Sequence, residues 1–123
     1  MAFNFFIEKE IKTVTLTNGS KSNTQILLKK NNFYHLLEDC FSSDQFQKCK
    51  PHRDVYLSFC RLMKIDPKYS LIIAAHGWDI NGAKLTGLKT ACFTRYENEI
   101  SDFYLKPDYT GKDCNEIIKQ FNL

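Results

Sequence analysis

Two hydrophobic periods succeed one another along this chain. Phe3, Phe6, Ile7 and Ile11 stand at helical spacing and predict a short amphipathic helix, with a first strand as the competing assignment. Thr13 to Thr17 is a β-branched run that ends in the turn signal Asn18-Gly19. Ser20 to Asn31 predicts a helix with Ile26, Leu27 and Leu28 on its apolar side. Phe33 to Glu38 reads as a partly helical connection and Cys40 to Ser43 as a very short strand. Pro51 can open a helix, because its missing N–H costs nothing in a first turn. Val55, Phe59, Leu62 and Met63 then form the buried stripe, and Asp66-Pro67 ends it.

From Ser70 to Arg95 the pattern is strand, polar loop, helix, strand. The apolar run around Ile72 and Ile73 ends in His76-Gly77-Trp78-Asp79. A helix carrying Ala83 and Leu85 follows, with Asp79 placed as its N-cap, and then a second apolar run containing Cys92. Ile100 to Leu105 reads as an edge strand and Asn115 to Phe121 as a closing helix. Strands alternating with helices predict an α/β fold with a mostly parallel sheet, a layout that the family resemblance given below makes Rossmann-like. In such sheets ligands bind outside the carboxyl ends of the strands, where His76 and Asp79 stand.

A length of 123 residues predicts a single domain over residues 1–123, and 43% hydrophobic residues suffice for a modest core. The net charge is only +3, and no Lys/Arg stripe marks a nucleic-acid or membrane surface. Lys29-Lys30 and Lys48 to Lys50 are short enough to be solvated faces. No apolar segment approaches the length needed to span a bilayer. The five cysteines form no C-x-x-C pair, which argues against a zinc site. Their odd number, without a signal-peptide pattern, predicts reduced thiols in a cytoplasmic protein, with Cys92 a small core residue.

Three polar points fall at strand ends or helix starts: Thr17-Asn18-Gly19, Lys50-Pro51 and His76 to Asp79. They offer a hydroxyl, an ammonium and a carboxylate. A lysine beside a carboxylate keeps it ionised and can hold an anion. A hydroxyl with free amides at a helix start cradles one. Taken singly, each has an ordinary structural explanation: strand end for Thr17, helix cap for Ser20 and Asp79, solvent exposure for Lys50 and His76, packing for Trp78. The order and spacing of the three together favour a site.

Leu16 to Ser20 (LTNGS), Cys49 to Tyr56 (CKPHRDVY) and Ala74 to Arg95 (AAHGWDINGAKLTGLKTACFTR) resemble, in this order, the haloacid dehalogenase superfamily, and within it the 2-haloacid dehalogenase branch. The resemblance runs from about Lys12 to Arg95. It implies that Thr17, with Asn18 and Gly19, binds the anionic end of a small substrate such as a 2-haloacid, and that Lys50 neutralises nucleophile and substrate charge. It makes Tyr56 a residue of the substrate site, Asp79 the acid that pairs with Lys50 and positions the hydrolytic water, and His76 the occupant of a position held by Asn or His. Ala74 stands where several members carry Ser. Phosphatase members need a second acid beside Asp79 to hold magnesium through oxygen ligands. The single carboxylate here resembles the metal-independent dehalogenases, in which an aspartate displaces halide and water hydrolyses the resulting ester, so no cofactor is expected.

The departure from the pattern is as informative. The family's nucleophile lies in an early D-x-x-G-T/V motif, and no such motif precedes Thr17, where Glu8 and Glu10 are the only acids. The helical cap that the family inserts before the LTNG strand is absent from the sequence as well. The resemblance therefore implies the C-terminal portion of a dehalogenase-type hydrolase, truncated or one half of a split enzyme, and inactive alone. It also implies open sheet edges that favour association, as a homodimer or with a partner.

Overall fold

A computed structural model of the protein describes residues 2–96 and 101–121. They fall into two compact units, divided between Cys49 and Lys50.

In the first unit, α1 (Ala2–Glu8) precedes β1 (Val14–Thr17), α2 (Lys21–Lys30) and β2 (Asp39–Ser42). β1 and β2 pair in parallel, Val14 opposite Asp39 and Thr17 opposite Ser42. Ser20 caps α2 by accepting from the Asn23 N–H, leaving Thr17-Asn18-Gly19 as the tight connection between strand and helix. Phe6, Cys40 and Phe41 are buried. Helix α1 agrees with the spacing of its apolar residues, but Ile7 and Ile11 remain exposed. The apolar side predicted for α2 is not buried: Ile26 and Leu27 are 64% and 61% exposed. The Lys21–Lys30 segment is only ten residues long and turns Leu28 and Thr24 inward instead. A 3-10 turn at Tyr34–Leu36 is the partly helical connection.

In the second unit, α3 (Arg53–Met63) is followed by a 3-10 turn at Pro67–Tyr69, β3 (Leu71–Ala74), α4 (Gly77–Leu85), β4 (Lys89–Phe93), β5 (Tyr109–Gly111) and α5 (Cys114–Ile118). The sheet order is β3-β4-β5, every pairing parallel. This bears out the α/β architecture with parallel sheets. α4 packs on β3 and β4, α5 on β5, and α3 on α4. Val55, Tyr56, Ile80, Ala83, Ala91, Cys92 and Ile117 are fully buried.

Several boundaries differ from the sequence expectation. Pro51 does not open α3; His52 does, its Nδ1 accepting from the Asp54 N–H, so the helix starts two residues after the proline. Leu62 lies outside the buried stripe at 53% exposed, and Tyr56 and Cys60 join Val55 and Phe59 in its place. Leu85 is exposed at the end of α4. No strand runs over 101–105, and Ile100 lies outside the described residues. The edge strand forms instead at Tyr109–Gly111, where Asp108 accepts from the Thr90 backbone N–H and the Asp108 N–H donates to the Thr90 carbonyl. All five cysteines are free thiols. Among the described residues no helix is long and apolar enough to cross a membrane.

Candidate active site

In the second unit, Lys50, Tyr56 and Asp79 come together from three places in the chain. Lys50 sits just before α3, joined to Pro51 by a cis peptide bond. Tyr56 lies in the first turns of α3 and Asp79 in the first turn of α4. Lys50 Nζ lies 2.7 Å from Asp79 Oδ2, and the two side chains are 9% and 7% exposed. The Tyr56 hydroxyl donates to Asp79 Oδ1 at 2.6 Å. The Asp79 carbonyl oxygen lies 3.2 Å from the same hydroxyl, but one O–H hydrogen serves the shorter contact.

Each carboxylate oxygen of Asp79 thus holds one partner, in surroundings nearly closed to water. An ion pair so buried is sustained only when hydrogen bonds satisfy the rest of the carboxylate, which is what Tyr56 supplies. Burial raises the pKa of Tyr56 far above the ordinary phenol value, and the hydrogen bond and negative charge of Asp79 raise it further. The hydroxyl therefore stays protonated and acts as a donor only.

α4 delivers Asp79 without the cap expected of it. The N-cap is His76, in extended conformation and without a side-chain capping bond, while the amides of Asp79 and Ile80 donate to its carbonyl. Asp79 stands inside the first turn, where the helix dipole favours its charge. Gly82, one turn later on α4, closes the arrangement. A β-carbon there would lie 2.7 Å from Pro51 Cβ and 3.0 Å from Tyr56 Cε2. Only a residue without one lets α4 approach the loop that carries Lys50. The sequence offered Gly82 only as part of the block Ala74 to Arg95 that carries the family resemblance, without its packing role against Pro51 and Tyr56.

His76 is exposed and its ring stacks on Trp78, centroids 5.9 Å apart and planes 10° from parallel. Thr17, Asn18 and Gly19 belong to the first unit. There Thr17 Oγ1 accepts from the Gly19 N–H at 3.0 Å, and the Gly19 carbonyl accepts from the Ser42 hydroxyl at 2.7 Å. Ser42 also begins a capping box with Gln45, so the loop after β2 is tied to the loop after β1. Among the described residues no three His, Cys, Asp or Glu side chains gather closely enough to hold a metal ion.

A carboxylate locked between an ammonium and a phenol stands beyond the carboxyl end of a parallel strand, where α/β sheets bind their ligands. The model of the haloacid dehalogenase-like hydrolases matches residues 4–93, and the chain belongs to that family. It is 27% identical over 89 residues, 72% of its length, to an (S)-2-haloacid dehalogenase of Xanthobacter autotrophicus, of which the match covers 35%.

Its fold matches that of a solved L-2-haloacid dehalogenase from Xanthobacter autotrophicus with chloropropionic acid covalently bound. The TM-score is 0.87 at 18% identity, over 96% of this chain and 57% of the other. The HAD-hydrolase YfnB from Bacillus subtilis, bound to magnesium, gives a TM-score of 0.85 at 20% identity over 99% and 54% of the two chains. A HAD phosphatase from Thermococcus onnurineus gives 0.82 at 18% identity over 96% and 54%. The chain thus spans little more than half the length of these structures, and its fold is shared by a dehalogenase and a phosphatase alike.

Proposed function

We propose that this chain is the C-terminal portion of a 2-haloacid dehalogenase-like hydrolase, carrying the lysine–carboxylate half of the catalytic machinery. The observation that supports this is the buried Lys50–Asp79 pair with Tyr56 as its donor, formed around a loop with a single carboxylate. In this reading Lys50 offsets the negative charge of a nucleophile and a small anionic substrate, and Asp79 positions the hydrolytic water. His76 borders the site, and Thr17, Asn18 and Gly19 keep the anion-binding role that the resemblance gives them. Tyr56 acts through Asp79 more than on substrate, since it is fully buried. The aspartate nucleophile is supplied from outside these 123 residues, so the chain alone releases no halide.

The test is halide release from 2-chloropropionate by the purified chain. None is expected. Turnover that survives Asp79→Ala would overturn the assignment, and magnesium-dependent phosphate release from an aryl phosphate would replace it with a phosphatase. A second reading, a non-catalytic module or half-enzyme that works through a partner, is favoured by one observation: β1 and β3 each pair on one side only among the described residues. Size-exclusion chromatography tests it, and a strictly monomeric chain at all concentrations, with no affinity for any partner, would count against it.

A further inference from the structure

Three sides of α4 are engaged. At about 3.6 residues per turn, Ile80 and Ala83, both at 0% exposure, face the sheet formed by β3 and β4. Asp79 and Gly82 lie on one flank, where they meet Lys50, Pro51 and Tyr56. Asn81 and Lys84 lie on the other flank. There Asn81 Oδ1 accepts from the Leu105 N–H at 2.9 Å, and Lys84 Nζ pairs with Asp108 Oδ1 at 2.9 Å. The two ties run in step, from one turn of the helix to the segment that leads into β5.

The sequence of α4 suits this arrangement better than it suits a helix. Asn81 and Gly82 are weak helix formers placed together in the middle of nine residues. The close approach of Pro51 accounts for Gly82. Asn81 turns its amide oxygen to a backbone donor 24 residues further on, outside the helix. The segment it grips is itself ordered. The Phe103 N–H donates to Ser101 Oγ at 3.3 Å, the Tyr104 N–H to the Ser101 carbonyl at 3.0 Å, and the Asp108 N–H to the Thr90 carbonyl at 3.0 Å.

A helix held by one apolar face keeps some freedom to rotate about its own axis. A side-chain tip lies about 5–6 Å from that axis, so a rotation of about 20° displaces it by about 2 Å. That is enough to break the 2.7 Å contact of Asp79 with Lys50 and the 2.6 Å contact with Tyr56. A hydrogen bond on the opposite flank fixes the rotation.

We propose that Asn81 is a positioning residue for the Lys50–Asp79 pair, acting through its bond to the Leu105 N–H, which sets the rotation of α4. The inference rests on the reading of that pair as the working part of a hydrolase site. It makes the segment from Ser101 to Asp108 a support of the site as well as a connection between strands.

The experiment uses the whole chain and two labels read residue by residue by mass spectrometry. The N-hydroxysuccinimide ester of acetic acid acylates amines, and Lys50, 9% exposed against Asp79, reacts only when the pair opens. Iodoacetamide alkylates thiols, and Cys92, at 0% exposure in β4, reports opening of the sheet. Asn81→Ala should speed acylation of Lys50 by about fivefold, the scale of one net hydrogen bond, and leave alkylation of Cys92 unchanged. Asn81→Asp keeps the acceptor oxygen and should restore the slow rate. Leu105→Pro removes the donor at the other end of the same bond without touching α4. It should match Asn81→Ala, and the combined variant should label no faster than either. Leu105→Pro carries the test alone should Asn81→Ala fold poorly.

Lys50 labelling that ignores both substitutions would overturn the proposal. So would Lys50 and Cys92 labelling that rise together, a general loss of stability, or failure of Asn81→Asp to restore the slow rate. Additive effects of the two substitutions would show that they do not act through one bond and would overturn it as well. Acylation of Lys50 in the unaltered chain as fast as that of the exposed Lys68 would sink the reading of the pair itself. A protected Lys50 that is indifferent to Asn81 sinks only the positioning role.

Discussion

The Tyr56 hydroxyl and the Asp79 carboxylate are 2.6 Å apart at a point where Tyr56 is fully buried and Asp79 is 5% exposed. Its raised pKa, from burial first and Asp79 second, makes Tyr56 a permanent donor. Tyr56→Phe keeps the ring and removes the donor, leaving Asp79 Oδ1 unsatisfied. Loss of a hydrogen bond to a buried charged group costs about 1.5–3 kcal/mol. Urea unfolding should show a lower midpoint with an unchanged slope. A change under about 0.5 kcal/mol, the ordinary surface-substitution range, would mean that Asp79 has another donor in place of Tyr56.

Gly82 is expected to tolerate nothing larger than hydrogen. The added methyl of Gly82→Ala meets Pro51 Cβ at 2.7 Å and the Pro51 carbonyl oxygen at 3.0 Å, contacts that require α4 or the Lys50 loop to move. In a helix interior Gly→Ala ordinarily stabilises by roughly 0.5–1 kcal/mol. Here the overpacking term, about 1–3 kcal/mol, should reverse the sign. Thermal melts of the variant would show a lowered midpoint. A raised midpoint would show that the Lys50 loop yields without cost.

The parts of this architecture set by local pattern were legible in the sequence, and those set by packing were not. β1, β3, α4 and β4 follow from β-branched runs and from helical spacing bounded by Gly and Asn. The convergence of Lys50 and Asp79, 29 residues apart, was suggested by their places at a helix start and a strand end, and their direct pairing came from the family resemblance, since spacing does not reveal which turns of α3 and α4 face each other. The exposure of Ile26 and Leu27 contradicts amphipathic reasoning, since the side of α2 that is half-buried carries Thr24 and Leu28. The last strand was misplaced because its position is fixed by Asp108 and Thr90, a side-chain contact across 18 residues that leaves no periodic signal. Asp79 was assigned to the cap because Asp is a preferred capping residue. The helix in fact begins two residues earlier, at Gly77, and turns the carboxylate inward.

The Lys50–Asp79 pair should be costly to halve and cheap to replace. Lys50→Met strands a carboxylate that is 7% exposed, and removal of one partner of a buried pair costs about 3–5 kcal/mol. Adding Asp79→Leu removes the stranded charge, and the double variant should regain most of the loss. Chemical denaturation of the two single variants and the double variant completes the cycle. Additive losses would show that the two side chains act independently despite their 2.7 Å separation.

Asp108 gives a pH dependence of definite sign. Partial burial opposes its ionisation, but the hydrogen bond from Lys84, the Thr90 backbone N–H at 2.8 Å, the charge of Lys84 and the Thr90 hydroxyl together outweigh it, so its pKa is lowered. A carboxyl lowered on folding contributes stability that is fully present above its unfolded value, about 3.9, and lost as pH falls through the folded value. Asp108→Asn lacks that contribution. The difference in melting temperature between the wild-type chain and Asp108→Asn should therefore hold steady from about pH 7 to about pH 5 and narrow below about pH 4. Because about a third of both side chains is exposed (30% and 31%), 1 M salt should shrink the difference at neutral pH. A gap that instead widens on acidification would mean that Asp108 is held protonated in the folded chain, and the Lys84–Asp108–Thr90 connection that places β5 would need another explanation.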